Sequence, residues 1–114
     1  MTSEECKKLV AGTEPLLLVD VRESDEVEEE PFFRTEHQAY VNIPLTLIAF
    51  LPKEELCERL ESVAGRFGKP LSELRIIAAC RSGNRSRLAV DRFALAGIVA
   101  ENLDGGRIAW GEAM

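Results

Sequence analysis

The stretch IIAACRSGNRSRLAV, residues 76–90, decides how the chain is read. It starts as an apolar run, stops at a single cysteine, and resumes as charges and leucines at helical spacing. A short continuous apolar run reads as a strand buried on both faces, here LRIIAA, residues 74–79. In SRLAVDRFALAG, residues 86–97, Ala89, Phe93 and Ala96 make one stripe flanked by Leu88 and Leu95, and Gly97 suits a helix C-cap. The segment is therefore a strand ending at Cys80, a short polar loop, and a helix starting near Ser86.

That placement gives Cys80 a chemistry. Its sulfur faces backbone N–H groups that a helix N-terminus leaves unpaired, and these favour thiolate over thiol. Arg81 and Arg85 add positive charge nearby. Such surroundings lower a cysteine pKa from ~8.5 toward ~3.5–7.5, which makes a nucleophile at neutral pH. Gly83 lets the loop curl with its amides inward. Ser82 and Asn84 are small polar residues able to bond the loop backbone or an anion.

Working outward, Thr2 and Glu5 form a capping box for a first helix that Gly12 ends. PLLLVDV, residues 15–21, is a buried strand. RESDEVEEEP follows, with Glu28, Glu29 and Glu30 expected on a solvated loop or helix face. AYVNIPL, residues 39–45, is a second strand, closed by Pro44. Pro52 opens a helix with Leu56, Leu60 and Val63 at helical spacing, broken by Gly65 and Gly68; Cys57 is expected to pack beside that stripe. GRFGKP, residues 65–70, is no phosphate loop, because its glycines are too close and Pro follows the lysine. IVAENL is a fourth strand, DGG a turn, and RIAWGEAM a final helical turn or two. Strands alternating with helices give an α/β domain with a mainly parallel sheet. Ligands of such sheets sit beyond the strands' carboxyl ends, at the loops after Val21, Ala79 and Leu103.

Four segments then occur in order: DVRE (20–23), VNIPL (41–45), CRSGNRS (80–86) and LDGGRIAW (103–110). Together they resemble a single-domain rhodanese, a sulfurtransferase module, over about residues 16–110. The resemblance implies a three-layer α/β/α fold with a central, mainly parallel sheet of about five strands. It implies that Cys80 carries a persulfide sulfur, that Arg81, Ser82, Gly83, Asn84 and Arg85 cradle it, and that Asp20 and Arg22 support the loop. The reaction implied takes a sulfane sulfur from thiosulfate or a persulfide onto Cys80, then passes it to a thiol or cyanide. A sulfur-relay or thioredoxin-type protein fits as partner, and no cofactor is implied. Two departures stand out. EHQAYVNIP, residues 36–44, is one residue shorter than the family's usual segment, which displaces His37. Only four residues follow Trp110, so a short closing helix is expected.

Composition sets outer bounds. The chain has 114 residues, enough for one domain spanning residues 1–114. Its net charge of −6 disfavours nucleic acid and acidic membranes as partners. No apolar run is long enough to span a membrane, and the charged N-terminus lacks a signal core. Three scattered cysteines, Cys6, Cys57 and Cys80, point to reduced thiols in a cytoplasmic setting, and no Cys/His spacing suits zinc. Trp110 reads as a core plug, Asp20 as a carboxylate satisfying loop amides, Arg87 as solvent-facing and Cys6 as packed or surface thiol.

Two rival readings share this chemistry. A phosphatase or arsenate reductase of the same fold has a loop one residue longer, with arginine six positions after the cysteine; here that position is Ser86. A silent binding or regulatory domain would keep the fold without sulfur transfer.

Overall fold

The computed structural model describes residues 1–32 and 38–111; His37 lies outside them. Thr2 caps α1, Ser3–Ala11, by accepting the Glu5 N–H at 3.1 Å, and the helix ends at Gly12. Four strands follow in the chain: β1 Leu16–Asp20, β2 Gln38–Asn42, β3 Arg75–Ala79 and β4 Glu101–Asn102. They pair in parallel in the order β2-β1-β3-β4. Asp20 sits opposite Asn42 on one side and Ala79 on the other.

Strand parity divides the core in two. Leu17, Val19, Val21, Ile76, Ala78 and Cys80 pack toward Ile48 of α3 (Leu45–Ile48), Leu56 and Leu60 of α4 (Lys53–Phe67), and Ala89 and Phe93 of α5 (Asn84–Leu95). Leu16, Leu18, Ile77 and Ala79 pack on the opposite face with Cys6 and Val10 of α1 and Trp110 of α6 (Gly106–Trp110). The architecture is thus α/β/α. Burying a leucine such as Leu17 or Leu60, both fully enclosed, contributes roughly 1.5–3 kcal/mol each.

Four expectations shift. The described sheet has four strands rather than about five. The predicted strand IVAENL shrinks to Glu101–Asn102. The Ile98 N–H instead turns back to the Phe93 carbonyl at 2.9 Å, so the first residues of that run close α5 rather than extend a strand. Gly65 does not break α4; Phe67 is its last residue, and Gly68, with φ +90°, ends it. One interior glycine costs only ~1 kcal/mol, less than the packing of Val63 and Ala64 around it returns. Helix α5 starts at Asn84, two residues before the expected point, because Gly83 supplies the left-handed turn at φ +98°.

The acidic run forms α2, Ser24–Glu29, which buries no residue, with Glu23 and Glu26 joined in a capping box. After β2 the chain crosses over β1 to place β3 on its far side. The order of strands therefore reverses between β1 and β3, and a parallel sheet opens a crevice at the carboxyl ends of such a pair. Both ends are occupied by segments singled out in the sequence, 20–23 and 80–86.

Candidate active site

Parity puts Cys80 on the α5 face, so its side chain meets the N-terminus of that helix. The Gly83 N–H donates to Sγ at 3.0 Å, and the Ser86 N–H reaches it at 3.4 Å. The Ser86 hydroxyl lies 3.4 Å from the same sulfur. Cys80 is 0% exposed. Burial alone pushes its thiol up; the Ser86 hydroxyl and the amides of Ser86, Gly83 and Ser82 outweigh burial and hold it below the ordinary value.

The loop is clamped from behind by the first turn of α6. The Arg107 and Ile108 N–H groups donate to the carbonyls of Cys80 and Arg81 at 2.9 and 3.0 Å. Gly106, at φ +55°, approaches so closely that a Cβ there would fall 2.3 Å from the Cys80 carbonyl oxygen. A Cβ on Gly83 would lie 2.8 Å from the Gly105 nitrogen. Gly83 and Gly106 are thus required by backbone-to-backbone contact between the cysteine loop and LDGG, while Gly105, at φ +76°, has its Cβ position taken by Ala109. Asn102 ties the same parts together. Its Nδ2 donates to the Gly83 carbonyl at 3.2 Å and to Asp104 Oδ1 at 3.1 Å, and its Oδ1 accepts from the Ser86 hydroxyl.

The arginines have separate duties. Arg85 donates from Nη1 and Nη2 to both oxygens of Glu26, at 2.6 and 2.8 Å. That guanidinium drives the Glu26 carboxyl down to about 2. Arg81 is exposed and, with Arg22, Glu26, Glu29 and Glu30, lines a cavity of about 250 Å³ beside the loop. Main-chain amides and Ser86 are the leading groups that hold the Cys80 thiol down, and the Arg85 guanidinium interacts with the same sulfur charge. Ser82, Asn84 and Arg87 have exposed side chains.

Asp20 and Arg22 form a buried pair, at 0% and 2% exposure, next to this cavity. Arg22 Nε and Nη2 donate to the Asp20 carboxylate at 2.9 and 2.7 Å, and the Arg22 N–H also reaches it at 3.2 Å. Tyr40 adds its hydroxyl at 2.8 Å, and Arg22 Nη1 holds the Glu30 carbonyl at 2.7 Å. The pair thereby fixes α2 over the sheet end. Trp110, 1% exposed, is a core plug, meeting the Phe32 ring edge-on at 6.3 Å. Cys6 lies in the opposite core from Cys80, and burial lifts its thiol to about 11. Cys57 is half-buried, with Sγ 3.6 Å from the Ala96 carbonyl. Among the described residues no group of three or more His, Cys, Asp or Glu could hold a metal.

A cysteine at a strand tip, ringed by the amides of the next helix and backed by a di-glycine turn, defines a sulfur-centred loop of an α/β domain. The chain has the rhodanese-like single-domain fold. It matches the crystal structure of a rhodanese-like domain protein from Staphylococcus aureus with a TM-score of 0.74 and 23% identity, over 99% of this chain and 91% of that one. A rhodanese-related protein from Thermoplasma volcanium matches with a TM-score of 0.67 and 20% identity, over 96% and 87%. A single-domain sulfurtransferase from Saccharomyces cerevisiae matches with a TM-score of 0.60 and 25% identity, over 96% and 85%. No protein-family model and no curated protein matches the chain.

Proposed function

We propose that the protein is a sulfurtransferase that moves a sulfane sulfur from thiosulfate or a persulfide to a thiophilic acceptor through a Cys80 persulfide. The observation that carries this reading is the convergence of the Gly83 and Ser86 N–H groups on Cys80 Sγ. A neutral packed thiol has no need of such a collar, whereas an ionised sulfur does. The resemblance of the motifs and the fold shared with a sulfurtransferase support it.

The chemistry is two displacements. The Cys80 thiolate attacks the outer sulfur of thiosulfate; a new S–S bond forms, the old one breaks, and sulfite leaves with the bonding pair. A thiolate or cyanide then attacks the persulfide's outer sulfur and restores the Cys80 thiolate. Loop amides stabilise the anionic sulfur throughout, as an oxyanion hole does for oxygen. Because Cys80 has no exposed surface, each exchange requires the loop or the thiol rotamer to move. The donor's distal end is assigned to the cavity at Arg22 and Arg81. Acceptors include small thiols and a sulfur-relay or thioredoxin-type protein, in a reducing, cytoplasmic setting that suits three free thiols.

Intact mass after incubation with thiosulfate, or with an alkyl persulfide, tests the proposal. Wild type gains one sulfur on the peptide holding Cys80, and Cys80→Ser gains none while keeping its circular dichroism. A wild type that gains no sulfur from either donor is a silent domain of this fold. Turnover of a phenyl phosphate would point instead to the phosphatase reading, which the six-residue span from Cys80 to Arg85 disfavours.

A further inference from the structure

Glu26 has no part in the sulfur exchange itself, yet it holds Arg85, one of the two arginines of the cysteine loop, in a bidentate grip. Its carboxylate is fixed independently as well, since Oε1 accepts the Glu23 N–H at 3.1 Å in the α2 capping box. The adjoining cavity carries Glu26, Glu29 and Glu30 against Arg22 and Arg81. Arg22 is bound to the buried Asp20 carboxylate and Glu26 to Arg85. With those two pairs set aside, Glu29 and Glu30 face Arg81 among the described lining residues.

We propose that Glu26 is a specificity-determining residue of the Cys80 site. As fixed counter-ion of Arg85, it discriminates against dianionic donors such as thiosulfate and favours persulfides whose distal end is neutral or cationic. This deepens the sulfurtransferase reading and rests on it. Charge in the exchange supplies the reason. Thiosulfate and the Cys80 thiolate bring three negative charges together, and the products, Cys80–S–S⁻ and sulfite, retain all three. That assembly calls for a guanidinium; of the two in the loop, Arg85 is engaged by Glu26, and Arg81 shares its cavity with Glu29 and Glu30. A persulfide R–S–SH meets the thiolate with one negative charge in total. The new S–S bond forms on the outer sulfur, R–S⁻ leaves with the old bonding pair, and the proton stays on the transferred sulfur, so no outside oxidant is needed. The Arg85 guanidinium also feels the Cys80 charge, which raises its own pKa behind the larger effect of Glu26.

Glu26→Gln removes the charge and keeps an acceptor for the capping box, since Gln serves there as well. Its kcat/KM for thiosulfate should rise about tenfold, while that for 2-aminoethyl persulfide, which brings no net negative charge, stays within about twofold. Glu26→Asp, which keeps the charge, should stay close to wild type with both. Equal changes for the two donors, or no rise with thiosulfate, would overturn the proposal. A second arm needs no turnover: sulfate is titrated into Cys80→Ser with and without Glu26→Gln, following the amide resonances of residues 81–86. Tighter sulfate binding by about tenfold without the carboxylate is expected; equal affinity, or no binding by either protein, overturns the assignment. Failure of wild type to accept sulfur from any donor would sink the sulfurtransferase reading alone, and the sulfate titration would still decide the role of Glu26.

Discussion

Ser86 has one hydroxyl hydrogen and three acceptors in reach: Asn102 Oδ1, the Gly83 carbonyl at 3.3 Å and Cys80 Sγ at 3.4 Å. Only one can receive it at a time. When Cys80 ionises, the hydrogen gains a charged partner, so the hydroxyl is a direct contributor to the lowered thiol pKa. Ser86→Ala should therefore move the midpoint of Cys80 alkylation against pH upward, because the ionised sulfur loses a hydrogen bond. An unmoved midpoint would show that the hydrogen stays on Asn102 and that the amides act alone. Cys80 and its collar were legible in the sequence because strand, loop and helix adjoin along the chain. The sequence marks Ser86 as the helix start and as the position where a phosphatase carries arginine, and it does not single out Asn102. Nothing local marks a side chain sixteen residues away as the partner of that hydroxyl.

At the scale of elements, two glycines give opposite expectations. Gly65 lies inside α4 with open space where a Cβ would stand. Gly65→Ala should raise stability by about 0.5–1 kcal/mol, through helix propensity alone. Gly106→Ala drives a methyl into the Cys80 carbonyl at a left-handed φ. It should cost at least about 2 kcal/mol and depress sulfur transfer in whatever remains folded. Chemical denaturation of the two variants checks both signs. Helix α2 is joined to α5 by the Glu26–Arg85 pair, and its acid range follows from the sign of the shift. The Glu26 carboxyl falls from 4.5 to about 2 in the fold. Its stabilisation is thus complete above about pH 4.5 and is lost as pH falls toward 2. Both partners are about a third exposed, so the contribution is on the order of 1 kcal/mol after solvent screening. Glu26→Gln should flatten the denaturation profile between those pH values, and an unchanged slope would assign the acid loss to other carboxylates. Short-range patterning exposed the acidic helix face in the sequence but not this pairing. Partners 59 residues apart are matched by the crossing of the chain, which periodicity does not encode. β4 is short for a related reason: residues 98–100 read as a strand by their apolar run, while the helix before them takes Ile98 for its own closure.

For the molecule as a whole, one sheet separates two apolar clusters that divide the apolar residues of the central strands between them. Loss of either should unfold both. Leu60→Ala, in the α4 cluster, should cost about 2–5 kcal/mol. It should lower the denaturation midpoint equally by circular dichroism and by fluorescence of the single Trp110, which sits across the sheet. Separate midpoints would mean that the layers melt apart. Alternating apolar runs were enough to read the parallel α/β plan, because buried strands and amphipathic helices write it directly. The same patterning does not encode the strand order, which brings residues 20–23 beside residues 80–86. The contact between Gly83 and the Gly105–Gly106 turn carries a consequence for engineering. The cysteine ring is one half of an interlocking joint whose other half arrives twenty residues later. Transplanting segment 80–86 into a foreign scaffold would carry over the nucleophile without its seat. A working graft needs 102–108 in the same move, at the same backbone separation.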